Sequence, residues 1–187
     1  MGALPKEDRY FTYADYKAWD LAEGERYELI YGEAYAMAAP SLYHQSVSME
    51  LSTQFRNYLR GKPCKVFAAP VDVRLFYEKN ENDDTIVQPD IIVVCDEKKR
   101  GKEGCRGAPE LVIEIHSPSN TVVEMDRKLL LYLKAGVHEY WVVSPENKSV
   151  IVYNFKDKGI FGYKNDEIIP VATLPGLNIS LEQVFEE

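Results

Sequence analysis

"LVIEIHSPSN", residues 111–120, begins as a buried β-strand and then breaks its own pattern. Side chains alternate along an extended chain, so Leu111, Ile113 and Ile115 share one face while Val112, Glu114 and His116 share the other. A carboxylate inside so apolar a run costs on the order of several kcal/mol unless a metal, a cation or a proton neutralises it. Glu114 therefore asks for a partner, and the segments on either side are where to look.

Upstream, "QPDIIVV" (88–94) is apolar at every position after Asp90, which marks a strand covered on both faces with an acid at its entry. Downstream, "SNTVVEMDRKLLLYLKAG" (119–136) has helical spacing, with Ser119 or Asn120 as cap and Gly136 as stop. At about 100° per residue, Met125, Leu129 and Tyr132 lie together and Lys128 falls between Leu131 and Tyr132. Lys128 thus leans toward the covered side of its helix, whereas Arg127 and Lys134 point toward solvent. Two strand acids and one helical lysine make a chemical set. Paired carboxylates can hold Mg²⁺, which prefers oxygen ligands, and a lysine can orient water or steady charge on a phosphate.

The rest of the chain supplies a frame for these segments. Thr12 and Asp15 form a capping box ahead of Tyr16 and Trp19. "RYELIYGEAYAMA" (26–38) reads as two strands turning at Gly32. Ser41 caps a helix whose stripe is Val47, Leu51, Phe55, Tyr58 and Leu59, ended by Gly61 and Pro63, with His44 on the same stripe. Strands are expected at 65–69, 71–77, 89–95 and 110–116, with "KNENDD" (79–84) as a polar loop. "HEYWVVS" and "SVIVYNF" pair across "PENK", followed by short strands and a final helical turn after Ser180. This order implies an α/β (mixed α+β) fold with a central mixed sheet flanked by helices and an added C-terminal hairpin.

At 187 residues a single domain, 1–187, is expected, its core spanning about 11–155 with C-terminal strands and a short helix over 156–187. No apolar run approaches the roughly 20 residues of a membrane span. The N-terminus lacks a signal-peptide layout, and Cys64, Cys95 and Cys105 are scattered without a CxxC, so a disulfide framework is not expected and a cytoplasmic home is. A formal net charge of −8 rules out bulk attraction to nucleic acid, which leaves a local patch. "KKRGKEGCR" (98–106) offers Lys98, Lys99, Arg100, Lys102 and Arg106 as phosphate contacts. There is no GxGxxG, GxxxxGK[ST] or GxSxG, so dinucleotide, P-loop and serine-hydrolase readings lack support, and nothing supplies a sugar platform for a glycosidase.

"QPDIIVV", "PELVIEIHSPSN" and "DRKLLLYLKAGVHEYWVV", with "RYELIYGE" upstream and the helical His44, together resemble the Uma-type family of restriction endonuclease-like proteins, within the PD-(D/E)XK nuclease superfamily. The resemblance implies a restriction-endonuclease-like core and hydrolysis of DNA phosphodiesters with Mg²⁺ (or Mn²⁺). Asp90 matches the motif aspartate, Glu114 the motif acid, and Glu28 an upstream acid that completes the metal site. The motif lysine would stand at 116, where this chain has His116, and Lys128 fits the variant in which the lysine moves to the next helix. Tyr31 replaces the more usual aspartate before Gly32. His44 and His116 are supporting candidates, and a homodimer is expected, since cutting both strands takes two sites.

Each residue also has a plain structural reading. Asp90 could cap a strand start, Lys128 could snorkel to the surface, His44 and His116 could be satisfied structural histidines, and loop 98–106 could be a solvated connection. The rival to the endonuclease is accordingly a catalytically inactive nuclease-fold protein acting as a dimeric binding or assembly module.

Overall fold

The computed structural model describes residues 9–117 and 121–186. A short helix α1 (Tyr13–Lys17) follows Thr12, whose N–H donates to Asp15 as the capping pattern implies. Strands β1 (Tyr27–Ile30) and β2 (Glu33–Ala36) form the expected hairpin. Its two turn residues, Tyr31 (φ 50°) and Gly32 (φ 80°), both adopt the left-handed conformation that a tight hairpin of this hand requires. Helix α2 (Leu42–Leu59) starts where Ser41 Oγ accepts from His44 N at 3.1 Å.

Strands β3 (Lys65–Ala68), β4 (Val73–Arg74), β5 (Ile86–Val87) and β6 (Ile91–Val94) come next. The strand expected over 71–77 is cut to two residues for a physical reason. Arg74 turns inward to bind Asp83 through Nε at 2.7 Å and donates from a terminal nitrogen to Glu78 O at 2.8 Å. The acidic "KNENDD" stretch is thus partly structural, with Asp83 buried beneath Arg74. Residues 98–106 likewise form more than a loop: a 3₁₀ turn (Glu97–Lys99) leads into the hairpin β7 (Arg100–Gly101) and β8 (Gly104–Arg106).

Strand β9 (Leu111–Ile115) precedes helix α3 (Val122–Ala135). The proposed caps Ser119 and Asn120 lie outside the described residues. Thr121 is the N-cap, its hydroxyl accepting from Glu124 N at 3.2 Å while the Glu124 carboxylate accepts from Thr121 N at 2.7 Å. Gly136 closes the helix at φ 86°. Strands β10 (Glu139–Ser144), β11 (Ser149–Asn154) and β12 (Gly159–Lys164) form a meander, and β13 (Ile168–Pro170), β14 (Asn178–Ser180) and α4 (Leu181–Val184) end the chain.

Two mixed six-stranded sheets result, ordered β2-β1-β5-β4-β8-β7 and β12-β11-β10-β9-β6-β3. In the second, β6 and β9 are antiparallel, while β9 and β10 are parallel and joined by the α3 crossover. Alternation along β6 and β9 decides what each face buries. Ile91, Val93, Leu111, Ile113 and Ile115 pack against Val47, Leu51 and Phe55 of α2 and the C-terminal segment. Ile92, Val94 and Val112 pack with Leu131 and Tyr132 of α3 and with Val73 and Val87 of the first sheet. Both faces of β6 are covered, as its continuous apolar run implies. Among the described residues no helix is long and apolar enough to cross a membrane.

One expectation about the cysteines is overturned. Lys65 stands opposite Val94 across β3 and β6, so the next positions outward, Cys64 and Cys95, face each other and are joined as a disulfide. Their separation of 31 residues hid this in the sequence, because only strand pairing brings them together. Cys105 is free and buried, and burial pushes its thiol up to about 11. Native protein in mildly alkaline buffer is expected to give no reaction with a thiol reagent such as DTNB. Unfolding without reductant should expose one thiol, and with reductant three.

Candidate active site

Strand register delivers the two central acids to one place. Ile91 pairs with Ile113, so one step outward Asp90 meets position 114, and Ile115 N donates to Asp90 Oδ2 at 2.7 Å. Asp90 Oδ1 lies 3.3 Å from Nε2 of His44, which the first turn of α2 brings to the end of β6. Burial works against a charge on His44, but the hydrogen bond and the negative charge of Asp90 outweigh it, and the imidazole pKa is raised.

Glu114 is 7% exposed and does not stand alone. Lys128 Nζ lies 2.9 Å from its Oε1, and the Tyr132 hydroxyl donates to the same oxygen at 2.5 Å. Lys128 and Tyr132 are one helical turn apart, so a single face of α3 supplies both donors. Lys128 also reaches Oε1 of Glu28 at 3.0 Å, and Glu28 accepts from Gln88 N at 2.9 Å. One ammonium group therefore ties β1 of the first sheet to β9 of the second.

The electrostatics follow from this burial. Glu114 is pushed from an ordinary 4.5 up to about 7, chiefly by burial, with Lys128 opposing and the charges of Glu28 and Asp90 adding to the rise. Burial also works against the charge of Lys128, yet two carboxylates outweigh it and its pKa rises above the ordinary lysine value. Lys128 is thus a fixed cation, and Glu114 takes its proton near neutrality. Burial raises the Tyr132 phenol well above its usual value, so it remains a donor. The pKa of His116 is lowered by burial and then by the charge of Lys128, leaving it a neutral imidazole at the strand exit.

The structure thus gathers Glu28, His44, Asp90, Glu114 and Lys128 around the ends of β1, β6 and β9, with His116 beside them. The basic residues 98–106 stand apart. Their strands β7 and β8 form the opposite edge of the first sheet, separated from β1 by β5 and β4. There Lys99 Nζ is held by Glu110 Oε1 at 2.8 Å and Ala108 O at 2.7 Å, and Arg106 lies 5.6 Å from the Tyr77 ring. Lys134 is exposed as expected and Arg127 is half-buried, and both lie over aromatic rings of the β1–β2 hairpin. Arg127 is 4.4 Å from the Tyr35 ring and Lys134 is 4.8 Å from that of Tyr31. Tyr35 is the register partner of Glu28, so Arg127 lies over the ring beside that acid.

Sequence reasoning overlooked two members of the network. Tyr132 could have been found from its four-residue spacing to Lys128. Gln88 gives no such signal: its main chain holds Glu28 while its amide donates to Asp72 Oδ1 at 2.8 Å and to the Tyr16 hydroxyl at 3.1 Å. Among the described residues no group of three or more His, Cys, Asp or Glu side chains is placed to hold a metal ion. The neighbouring carboxylates of Asp90 and Glu114 are nonetheless the hard oxygen donors that Mg²⁺ takes from protein while keeping several waters, so the residues present fit such an ion.

A two-sheet α/β core with acids at facing strand ends and a helical lysine between them is a nuclease-like arrangement. The same fold occurs in a crystal structure from Anabaena variabilis described as "a putative nuclease", with a TM-score of 0.74, 21% identity, and coverage of 94% of this chain and 97% of that one. An uncharacterized protein of Synechocystis sp. is 26% identical over 175 residues, covering 91% of this chain and 89% of its own length. The family model Uma2, described as "Putative restriction endonuclease", matches residues 13–186, and the chain belongs to that family.

Removing the shared cation should be costly. Lys128→Met leaves Glu28 and Glu114 buried without it and is expected to destabilise the fold by about 3–5 kcal/mol in urea denaturation. The folded Glu114 carboxyl takes its proton at higher pH than the unfolded one, so acidification from about 7 toward 4.5 favours the folded state at this position. Lys128 opposes that rise, so without it Glu114 holds its proton to still higher pH, and the deficit of Lys128→Met should shrink as pH falls from about 9 toward 7. An equal deficit at both ends would mean that the acids do not depend on Lys128 for their charge.

Proposed function

We propose that this chain is a Mg²⁺- or Mn²⁺-dependent endonuclease that hydrolyses DNA phosphodiester bonds at the Asp90–Glu114–Lys128 site. The observation that carries the reading is the placement of Lys128 Nζ 2.9 Å from Glu114, on the strand-register partner of Asp90. The lysine expected in the strand position held by His116 is supplied instead from the facing helix.

Asp90 and Glu114 would hold the divalent ion, with Glu28 completing the acidic set. Such an ion supplies charge neutralisation at the phosphate and a water made more acidic. The remaining work belongs to the chain. Ile115 N and His44 fix the two oxygens of Asp90, which sets the direction in which that carboxylate can present a lone pair. Tyr132 fixes one oxygen of Glu114. Lys128, held cationic between two acids, orients the attacking water by donating to it and offsets the negative charge that builds on the phosphate. His116, neutral and on the same strand face as Glu114, is placed to exchange a hydrogen bond with water or with the leaving oxygen.

A second reading has its own support. Lys128 already satisfies Glu28 and Glu114 without any ion, as it would in an inactive nuclease-fold module that assembles or binds. Supercoiled plasmid incubated with Mg²⁺ or Mn²⁺ separates the two. The parent should nick it, and Asp90→Asn, Glu114→Gln and Lys128→Ala should each slow nicking by about 10²-fold or more. No nicking under any metal condition, together with no heat of Mn²⁺ binding by calorimetry, would favour the module.

A further inference from the structure

Beside the acids, on the α3 side of the second sheet, lies a half-open cavity of about 320 Å³. Met125 of α3, Val142 of β10 and Ile151 of β11 line it together with His116, Glu146 and Asn147. Strand register fixes how it relates to the carboxylates. Val142 is the direct partner of Glu114 across β9 and β10, and His116 is the next residue outward on the same face of β9. The cavity therefore opens next to the site where the phosphate would be cut, on the far side of His116 from Asp90's strand.

Its lining combines the apolar side chains Met125, Val142 and Ile151 with polar ones that include the hydroxyls of Ser144 and Ser149. That is the composition of a site for a planar heterocycle, apolar on its faces and hydrogen-bonding at its edge. Small-ligand pockets run from about 300 to 1,000 Å³, so this one sits at the small end and suits a single ring system. The lining also has a bias. The serine hydroxyls and His116 of the lining can each donate or accept, whereas the Glu146 carboxylate, when ionised, only accepts. That charged acceptor favours a ring that carries an N–H₂ group.

We propose that this cavity is a nucleobase subsite, which takes an unpaired base bearing an exocyclic amine from the strand beside the scissile phosphate. The proposal rests on the nuclease reading and adds the part of the substrate that site would recognise. A base in a duplex is stacked and its edge is paired, so the subsite engages a base that is already single-stranded or that has been swung out of the helix. Glu146 accepts from the amine as a carboxylate does from cytosine N4, while Val142, Met125 and Ile151 lie against the ring. Thymine, with no amine, fills the same space without that bond.

The test is anisotropy with labelled single-stranded oligonucleotides of cytosine, of thymine, and of abasic sugar-phosphate, with Ca²⁺ present to slow cleavage. The parent should bind the cytosine strand about tenfold more tightly than the thymine strand, the worth of a hydrogen bond to a charged group. Glu146→Gln should erase that preference, and Ile151→Trp, which fills the cavity from an exposed position, should bring cytosine and abasic strands together. Glu182→Gln, on α4 across the sheet, should leave the preference intact. A parent that binds all three strands alike, or a preference that survives both cavity variants, overturns the subsite and leaves the nuclease reading standing. A parent that neither binds any strand nor nicks plasmid overturns both.

Discussion

The structure turns on one buried ammonium group. Lys128 stands between Glu28 and Glu114, and each of these acids belongs to a different sheet. Neither carboxylate would be tolerated in its apolar surroundings without a cation, and Lys128 would not be tolerated without them. Charge balance therefore fixes the relation of α3 to both sheets more tightly than apolar packing alone would, since a carboxylate misplaced by a few ångströms loses its partner. The Tyr132 hydroxyl and the Gln88 main chain hold the remaining degrees of freedom.

The same arrangement leaves chemistry at the edge of the core. Asp90 stands just before the start of β6 and Glu114 near the end of the antiparallel β9, so both lie at one end of the sheet with an apolar interior behind them. Burial raises the proton affinity of Glu114, while His44 and Ile115 N lock Asp90, so two carboxylates a strand apart have different environments. Arg127 and Lys134 of the same helix lie on aromatic rings of the β1–β2 hairpin, whereas the more obvious basic run at 98–106 folds into a separate edge hairpin.

Some of this was legible in the residues alone. The apolar runs of 91–94 and 111–115, the stripe of α2 and the stop at Gly136 are local signals, and local signals survive folding because backbone geometry fixes them. Asp90, Glu114 and Lys128 were readable because polar groups at apolar positions are costly and so mark themselves. The shortened β4 and the structural role of Asp83 were not readable, because Arg74 draws Asp83 across a loop whose composition looks merely solvated. The Cys64–Cys95 bond was hidden for the same kind of reason, since it depends on which strand pairs with which.

The sequence by itself determined the elements and the anomaly: strands covered on both faces, a helix with one lysine on its inner side, and acids where apolar residues belong. Periodicity and desolvation cost act on near neighbours, so they are written into the order of residues. Only the tertiary structure decided that Glu28 and Glu114 would share that lysine, that Asp90 would be held by His44 and Ile115, and that a cavity would open past His116. These depend on strand register and on the crossing of α3 between two sheets, and contacts between residues far apart in the chain leave no local pattern to read.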